Sequence, residues 1–445
     1  MFLFYFVGDQ GYNFANIIFE YKHDAVQIKM RTTLLEIGED KTKKDEIEIK
    51  TNRAQKLVLS DLKQNQAYHL SMRIDNEEVS IEFKTWSNNQ SNFRVYNVNC
   101  NDYSRNYYDL WEKIKPNDQT ILLHLGDQIY GDTVYNKYES HSETEIANNA
   151  DKILEDYRDL YRKTYSKISQ HAIMSKCSNL MMLDDHEVVN DFGPFRKINH
   201  SLAQIALRAY YEYQVITYKD VSQVNVMTDP IYWSKIIGQM GLLLLDVRLD
   251  RYRWNLHGVF TDGQKDFIKQ SLREFKKQCC KTVIVGLARP LYNVCSCYAN
   301  CGSRCNVGDY DEMSHEYNVE DSNYLLDKLG ELSDAEVLIL SGDLHQSTYT
   351  EFNRRGHPLI RQLVNSPISQ APNSENPWYD RFYKWMKYKI SCNCTCCCAR
   401  HSNWTYSVKN VTNNNNVGCV CIENGQIKSI QTITGKKYKT QYGGT

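Results

Sequence analysis

The stretch LMMLDDHE at residues 180–187 carries the pattern that decides the fold. An apolar run that ends in paired acidic residues is typical of a buried strand reaching the carboxyl edge of a sheet. Two further stretches have the same form, ILLHLGDQIY at residues 121–130 and VLILSGDLH at residues 337–345. Since ligands of open α/β sheets bind in the crevice beyond such edges, we expect the acidic residues of all three stretches to converge there.

The polar residues of these stretches have the chemistry of metal ligands. Carboxylates and imidazoles together suit divalent or trivalent metal ions. An aspartate after a single strand is often a turn residue or a helix cap, and this alternative applies to each stretch taken alone. Because three stretches repeat the arrangement, each with a second ligand-type residue close by, we interpret the chain as a metal-dependent hydrolase.

Length and charge exclude some classes of protein. A chain of 445 residues exceeds what one ordinary core fills, so one large domain and a small one are expected. With 53 Lys and Arg against 54 Asp and Glu, the net charge is −1, which argues against a partner such as nucleic acid. The apolar start at residues 1–7 lacks a basic segment, and no run approaches bilayer length. A cytoplasmic location without a transmembrane segment is therefore expected, while secretion stays open.

Cysteine is frequent, with 15 residues, and most of them are clustered. Neither main cluster has the paired C-x-x-C spacing of standard zinc sites. Three interpretations remain open: an additional structural zinc, a local redox staple of the C-terminal segment, or reduced surface thiols. The clustered residues are Cys295, Cys297, Cys301 and Cys305, then Cys392, Cys394, Cys396, Cys397 and Cys398, with Cys419 and Cys421 further on.

Residues 1–88 and the remainder differ in periodicity. Alternation of apolar and polar residues predicts strands at 15–21, 25–30, 67–72 and 79–83, which indicates a small antiparallel β-sandwich. The polar stretch at 87–92 is typical of a linker. Beyond it, strands separated by helices predict a mixed α/β domain with two sheets covered by helices.

Several elements of this second part can be placed from their patterns. Buried strands are predicted at 241–246 and 282–286, and a hairpin between 418 and 432. Helical spacing predicts one long helix through residues 157–168 and another over 201–216 that begins with a serine cap. A third helix is predicted over 261–275, with Thr261 or Asp262 as its cap.

The ordered motifs of the chain resemble those of PhoD-like phosphatases (alkaline phosphatase D), a family of the calcineurin-like metallophosphoesterase superfamily. The resemblance rests on five stretches, Asn99–Asp102, Gly126–Tyr130, Leu183–Asn190, Leu245–Arg248 and Ser341–His345, with further similarity at 289–291 and 365–369. It implies a metallophosphoesterase-type two-sheet α/β sandwich over 93–435. It also implies that 1–88 is a fibronectin-like sandwich.

The resemblance also implies a centre of two metals. Asp127 would bridge them. Ferric iron would be bound by a thiolate, a phenolate and an imidazole, and calcium or another hard divalent ion by further carboxylates. The implied ligands are Cys100, Tyr130 and His345 for iron, and Asp185 and Asp343 for the divalent ion.

The remaining site residues have alternative roles at this stage. His186 would either contact the phosphate or protonate the leaving oxygen. Asn190 would hydrogen-bond or ligate, and Asp184 would ligate or orient a ligand. Arg248 would hold a phosphate oxygen or pair with Asp246.

The expected activity is hydrolysis of phosphate monoesters or diesters by metal-activated water or hydroxide. The expected substrates are small molecules or lipid headgroups. The alternative is a catalytically weak or inactive binding or assembly protein on the same fold.

Overall fold

The computed structural model describes residues 1–39, 41–105, 109–256, 258–292, 313, 315–372 and 404–435. The N-terminal part forms two antiparallel sheets, ordered β1-β2-β5 and β4-β3-β6-β7. Their strands are β1 (Phe2–Gln10), β2 (Ala15–Tyr21), β3 (Gln27–Glu36), β4 (Lys41–Lys50), β5 (Gln55–Leu59), β6 (Ala67–Ile74) and β7 (Glu77–Lys84). The four predicted strands are confirmed, although β3 begins two residues later than predicted and continues to Glu36.

The two N-terminal sheets enclose a core of their own. Alternate residues of β6 are buried, as a sheet with one face on a core requires. The core includes Ile17, Met30 and Leu70. Strand β4, which the sequence pattern did not predict, is largely exposed and rich in charge, a composition that protects an edge strand from pairing with other chains.

The rest of the chain is a sandwich of a five-stranded and a seven-stranded sheet. Their orders are β10-β9-β8-β18-β19 and β11-β12-β13-β14-β16-β15-β17. The strands of the five-stranded sheet are β8 (Phe93–Val98), β9 (Thr120–Leu125), β10 (Ser178–Met182), β18 (Asn416–Glu423) and β19 (Gln426–Thr434). Those of the seven-stranded sheet are β11 (Trp233–Ile237), β12 (Met240–Leu245), β13 (Thr282–Leu287), β14 (Glu336–Ser341), β15 (Ser347–Asn353), β16 (Ile360–Val364) and β17 (Thr405–Thr412).

An apolar layer lies between these two sheets, and helices cover their outer faces. Leu123, Leu180, Leu244 and Leu338 are among the buried residues of the layer. Strands β8, β9 and β10 run parallel, as do β12, β13, β14 and β16, so their carboxyl ends lie at common edges. The mixed α/β fold with an N-terminal all-β part is therefore confirmed.

The helices are short to medium in length, and none among the described residues is long and apolar enough to cross a membrane. They are α1 (Asp109–Lys113), α2 (Asp132–Tyr138), α3 (Glu143–Asn148), α4 (Ala150–Tyr165), α5 (Ile168–Met174), α6 (His200–Tyr213), α7 (Leu249–Trp254), α8 (Asp262–Lys277) and α9 (Val319–Leu329), with a 3₁₀ turn at Val215–Thr217.

Two predicted helix boundaries were wrong. The helix predicted through residue 168 ends at Tyr165, because Lys167 has an extended backbone and Ile168 starts the separate helix α5. Helix α6 begins after Asn199, whose side chain accepts a hydrogen bond from the Leu202 amide at 3.1 Å, and not after a serine. Thr261 caps α8 as predicted.

The N-terminal sheets dock on the α/β part through buried ion pairs. The Arg162 Nε atom of α4 lies 2.7 Å from Glu20 Oε1, and the Tyr213 hydroxyl donates to Glu20 Oε2 at 2.6 Å. Lys235 Nζ lies 2.6 Å from Asp9 Oδ1. Because Glu20 is fully buried, this contact requires its cationic partner.

The two large cysteine clusters, at 295–305 and 392–398, lie outside the described residues. Among the described residues, Cys419 and Cys421 belong to β18, and both are unpaired thiols. The possible additional zinc therefore stays an untested expectation.

Candidate metal centre

Four strands deliver polar residues to one edge of the sandwich. Cys100 follows β8, Asp127 follows β9, Asp184 and Asp185 follow β10, and Asp343 follows β14. This convergence of residues more than 200 positions apart is what the apolar runs ending in Asp predicted.

Two glycines allow the strand ends to touch. Gly126 has a φ of +101°, and a Cβ atom there would lie 2.3 Å from the Asp184 Cβ. A Cβ atom on Gly342 would lie 2.0 Å from the Asn99 Cγ. Since real side chains do not approach so closely, glycine is required at both turns.

The backbone is strained at several of the same residues. Left-handed φ values occur at Cys100 (+52°), Asp127 (+53°), Asp343 (+68°) and His345 (+51°). Such conformations cost non-glycine residues on the order of 1 kcal/mol each and concentrate at functional sites. Residues elsewhere in the chain, such as Asn52 and Asn255, have the same conformation, so it is the clustering of four such residues at the strand ends that fits a functional site.

The acidic side chains form two groups suited to cations. Ligand atoms of Asp127, Asp185 and His186 all lie within 4.8 Å of one another, and so do those of Asp184, Asp185 and Asp343. Asp185 is common to both groups, whereas the family resemblance gives the bridging role to Asp127.

Two oxygens of these groups, Asp184 Oδ2 and Asp185 Oδ1, are buried without a hydrogen bond to any described residue. The same holds for the hydroxyl of Tyr130, which follows Asp127 by three residues. Asp185 Oδ1 has one longer ionic contact, at 3.5 Å from Arg248 Nη2. Burying such atoms unpaired costs about 1–3 kcal/mol each, which a bound cation would offset. The donor set of carboxylates, phenol, thiol and imidazole therefore fits a metal centre.

Cys100 and Tyr130 lie beside Asp127. The Cys100 thiol donates to Asp127 Oδ2 at 3.2 Å and accepts from the Ser366 hydroxyl at 2.9 Å. Burial and the Asp127 charge raise the pKa of the Cys100 thiol well above its usual value, and burial with the Cys100 charge does the same to the pKa of the Tyr130 phenol. Both groups are neutral unless a cation stabilises their ionised forms.

His186 is oriented by an aspartate that the sequence did not reveal. Its Nδ1 lies 2.6 Å from Asp132 Oδ2, and its ring is 4.3 Å from that of Tyr130. Burial lowers the pKa of His186, but the carboxylates of Asp185, Asp127 and Asp132 raise it well above the usual value overall. The imidazole is accordingly protonated in the metal-free site.

His345 has the opposite electrostatic environment and belongs to neither acidic group. Burial and the nearby charge of His186 lower the pKa of His345 to about 4. Its amide donates to the Ser366 hydroxyl at 3.2 Å. A neutral imidazole is the form that binds metals.

Two arginines pair with the site carboxylates. Arg248 is buried, and its Nε lies 2.6 Å from Asp184 Oδ1. Asp246 accepts a hydrogen bond from the backbone amide of Arg248 at 2.9 Å, whereas the described ion pairs of the Arg248 side chain are with Asp184 and Asp185. Arg289 Nε lies 2.9 Å from Asp343 Oδ2. Residues 289–291 are part of the family resemblance, but no role was predicted for Arg289, because nothing in the sequence pattern places the end of β13 beside that of β14.

Glu187 connects the ends of β9 and β10, while the Asn190 side chain contacts a neighbouring residue. Glu187 accepts hydrogen bonds from the amides of Asp127 (3.2 Å), Gln128 (2.7 Å) and Asp184 (2.9 Å), and from the Gln214 side chain (2.9 Å). The Asn190 side chain is exposed and donates to its neighbour Asp191 at 2.5 Å.

The paired sheets with carboxylates at their strand ends define an α/β sandwich of metallophosphoesterase type. Residues 93–279 match the family described as PhoD-like phosphatase. No curated protein matches the chain.

Two solved structures share the fold. The structure of PhoD is 14% identical, with a TM-score of 0.70 over 97% of this chain and 88% of that one. A purple acid phosphatase, PPD1, from yellow lupin (Lupinus luteus) seeds is 12% identical, with a TM-score of 0.57 over 97% of this chain and 74% of that one. Identities this low bear on the fold and not on the substrate.

Proposed function

We propose that this chain is a metal-dependent hydrolase of phosphate monoesters or diesters. The observation that carries the proposal is the pair of acidic groups at the strand ends, which share Asp185 and contain buried oxygens without hydrogen bonds to described residues. The match of residues 93–279 to the PhoD-like phosphatase family supports the same conclusion. We further propose that residues 1–88 and 93–435 are separate domains.

The donor types suggest which residues would hold which metal. Cys100, Tyr130 and His345, with Asp127, would hold ferric iron, while Asp185 and Asp343 would hold calcium or another divalent ion. Such a pair supplies positive charge to the phosphoryl oxygens and makes water nucleophilic at neutral pH. Contacts between Cys100, Tyr130 and Asp127 support the first set.

The chain's own residues account for positioning and proton transfer. Hydrolysis joins a water oxygen to phosphorus, breaks the ester P–O bond and delivers a proton to the leaving oxygen. His186, which pairs with Asp132 and is grouped with Asp127 and Asp185, is suited to donate that proton or to hold a phosphate oxygen. Buried Arg248 is suited to orient Asp184 rather than to reach the substrate.

The proposal is tested with the full chain, assayed on a chromogenic phosphate monoester and diester with iron and calcium, and again after chelation. Elemental analysis of the untreated protein identifies the resident metals. We expect turnover, and we expect chelation to abolish it. Asp127→Asn should lower turnover by more than about a hundredfold, because losing a metal ligand costs more than changing a residue that only orients a ligand.

Asp266→Asn is the matched control, since Asp266 is an exposed residue of α8. Retained turnover in folded Asp127→Asn would overturn the proposed centre. Metal binding without turnover on either ester would favour the binding-protein alternative.

A further inference from the structure

A buried hydroxyl lies directly against the sulfur of Cys100. The Ser366 Oγ atom is 2.9 Å from the Cys100 Sγ atom, although 266 positions separate the two residues in the chain. Both side chains are fully buried. Because water does not compete at a buried contact, a hydrogen bond there is electrostatically stronger than the same contact at the surface.

The neighbouring contacts direct the Ser366 proton toward the sulfur. The Ser366 hydroxyl oxygen accepts a hydrogen bond from the His345 amide at 3.2 Å, so its single proton remains to be donated. The Cys100 proton faces the side-chain oxygens of Asn99 at 2.5 Å and Asp127 at 3.2 Å, so the sulfur meets Ser366 as an acceptor. Burial and the Asp127 charge raise the pKa of the Cys100 thiol, whereas the Ser366 hydrogen bond lowers it in part. Ser366 therefore favours an ionised sulfur.

The loop that carries Ser366 is fixed to the turn that carries Cys100. The Ile368 amide donates to the Asn99 carbonyl at 2.9 Å, and the Gln370 amide donates to the Cys100 carbonyl at 3.1 Å. These backbone contacts lie within four residues of Ser366. The hydroxyl is thus held at the sulfur by the backbone, which is how a residue that supports a ligand is preorganised.

We propose that Ser366 is a positioning residue that donates a hydrogen bond to the metal-bound thiolate of Cys100 and reduces the negative charge that the sulfur gives to the metal. This inference rests on the proposed function for the role of Cys100 as a metal ligand. Hydrogen bonds to a coordinating sulfur tune both the affinity and the reduction potential of the bound metal. Compared with a chain that lacks the hydroxyl, Ser366 favours the reduced state of a redox-active metal.

Cobalt(II) is the probe, because a thiolate bound to it adds a charge-transfer band to the absorption spectrum of the full chain. The chain has 15 cysteines, so the part of the band that Cys100→Ser removes is taken as that of Cys100. Ser366→Ala should shift this part to longer wavelength, because the sulfur lone pairs lie at higher energy without the hydrogen bond. Cobalt affinity, measured by calorimetry, should fall about tenfold.

Ser369→Ala is the matched control. Ser369 is a fully buried serine of the same loop, but its hydroxyl donates to the Asn101 side chain at 2.9 Å and not to the sulfur. We expect the Cys100 band to stay in place in this variant. Ser366→Thr keeps a hydroxyl and is also expected to keep the band in place.

A second measurement needs no substitution. The hydroxyl proton at the sulfur is exchangeable, so equilibrating the metal-free chain in D₂O before cobalt is added replaces it with deuterium. The cobalt–sulfur stretching frequency of Cys100 in the resonance Raman spectrum should then differ between H₂O and D₂O.

An unshifted band in Ser366→Ala, or an unchanged stretching frequency in D₂O, would overturn the role of Ser366 and leave Cys100 as a ligand. A lower unfolding midpoint of Ser366→Ala with an unshifted band would show that the hydroxyl only supports the fold. Absence of any Cys100-dependent band in the unsubstituted chain would overturn both assignments. Phosphate-ester hydrolysis is measured separately: a shifted band without hydrolysis would keep the role of Ser366 and overturn the enzyme.

Discussion

Buried carboxylates occur in two regions of the molecule, and their surroundings differ. Where the N-terminal sheets dock, both oxygens of Glu20 have partners, Arg162 at 2.7 Å and Tyr213 at 2.6 Å, and Asp9 pairs with Lys235. At the strand ends, Asp184 Oδ2 has no hydrogen bond among the described residues.

The buried charges at the docking contact stabilise the fold, whereas those at the strand ends are suited to bind a cation. At the docking contact each buried anion has its own cation, so removing one partner damages the fold. Burial raises the pKa of Glu20 and of Asp9 as well, but Arg162 and Lys235 lower each in part. At the strand ends, burial raises the pKa of Asp127 well above its usual value, His186 lowers it, and the neighbouring carboxylates raise it further, so the ionised form of Asp127 destabilises the metal-free chain. With a bound cation, the ionised form of Asp127 would stabilise the chain instead.

The largest expected effect is the stabilisation by metal and its loss in Asp127→Asn. Saturating metal should stabilise the unsubstituted chain by about 4 kcal/mol at a thousand times the dissociation constant. Asp127→Asn removes one of the crowded charges, so its metal-free form should gain about 1 kcal/mol while the response to metal disappears. Denaturant unfolding with and without iron and calcium measures both. A less stable metal-free variant would contradict the comparison.

At the docking contact, Arg162→Met should destabilise the chain without changing its response to metal. This change leaves Glu20 buried without its cation and removes the hydrogen bond to the Asn52 carbonyl at 2.8 Å. We expect a loss of about 3 kcal/mol in unfolding free energy, with metal affinity unchanged. Arg208→Met is the control, because Arg208 is 57% exposed and its ion pair contributes little. Weakened metal binding in Arg162→Met would show that the two regions are not independent.

Much of the α/β sandwich followed from one physical rule. Short apolar runs bounded by polar turns must be buried strands, and this placed β9, β10, β12, β13 and β14 correctly. Strand β4 could not be found in this way, because its residues are charged and exposed. It exists through pairing with β3, where Ile47 lies opposite Met30.

The candidate site was predictable where a residue directly follows a strand. The aspartates after β9, β10 and β14 gathered as expected. The side chain of Asn190, in the loop beyond β10, donates to its neighbour Asp191, a contact that closeness in sequence to Asp185 did not predict. Asp132 was missed and Arg289 was given no role, because their roles depend on contacts between segments that no local pattern specifies.

Glu187 belongs with these residues, and its substitution is the smallest effect we expect to resolve. In Glu187→Gln an NH₂ group replaces one acceptor oxygen and faces a backbone donor, which loosens the connection between the Asp127 and Asp184 turns. Metal affinity should fall by about 10- to 100-fold, as for other partners that orient ligands.

Calorimetric metal titration tests this, together with the unfolding midpoint of the metal-free chain. Glu212→Gln is the matched control, since Glu212 pairs with Arg158 at 2.7 Å and does not contact the site carboxylates among the described residues. If Glu187→Gln lowers the midpoint but leaves metal affinity intact, Glu187 only supports the fold. A loss of metal affinity in Glu187→Gln that Glu212→Gln does not share shows that Glu187 positions the metal ligands. The charged region at the strand ends then includes Glu187 in addition to the carboxylates that would contact the metal.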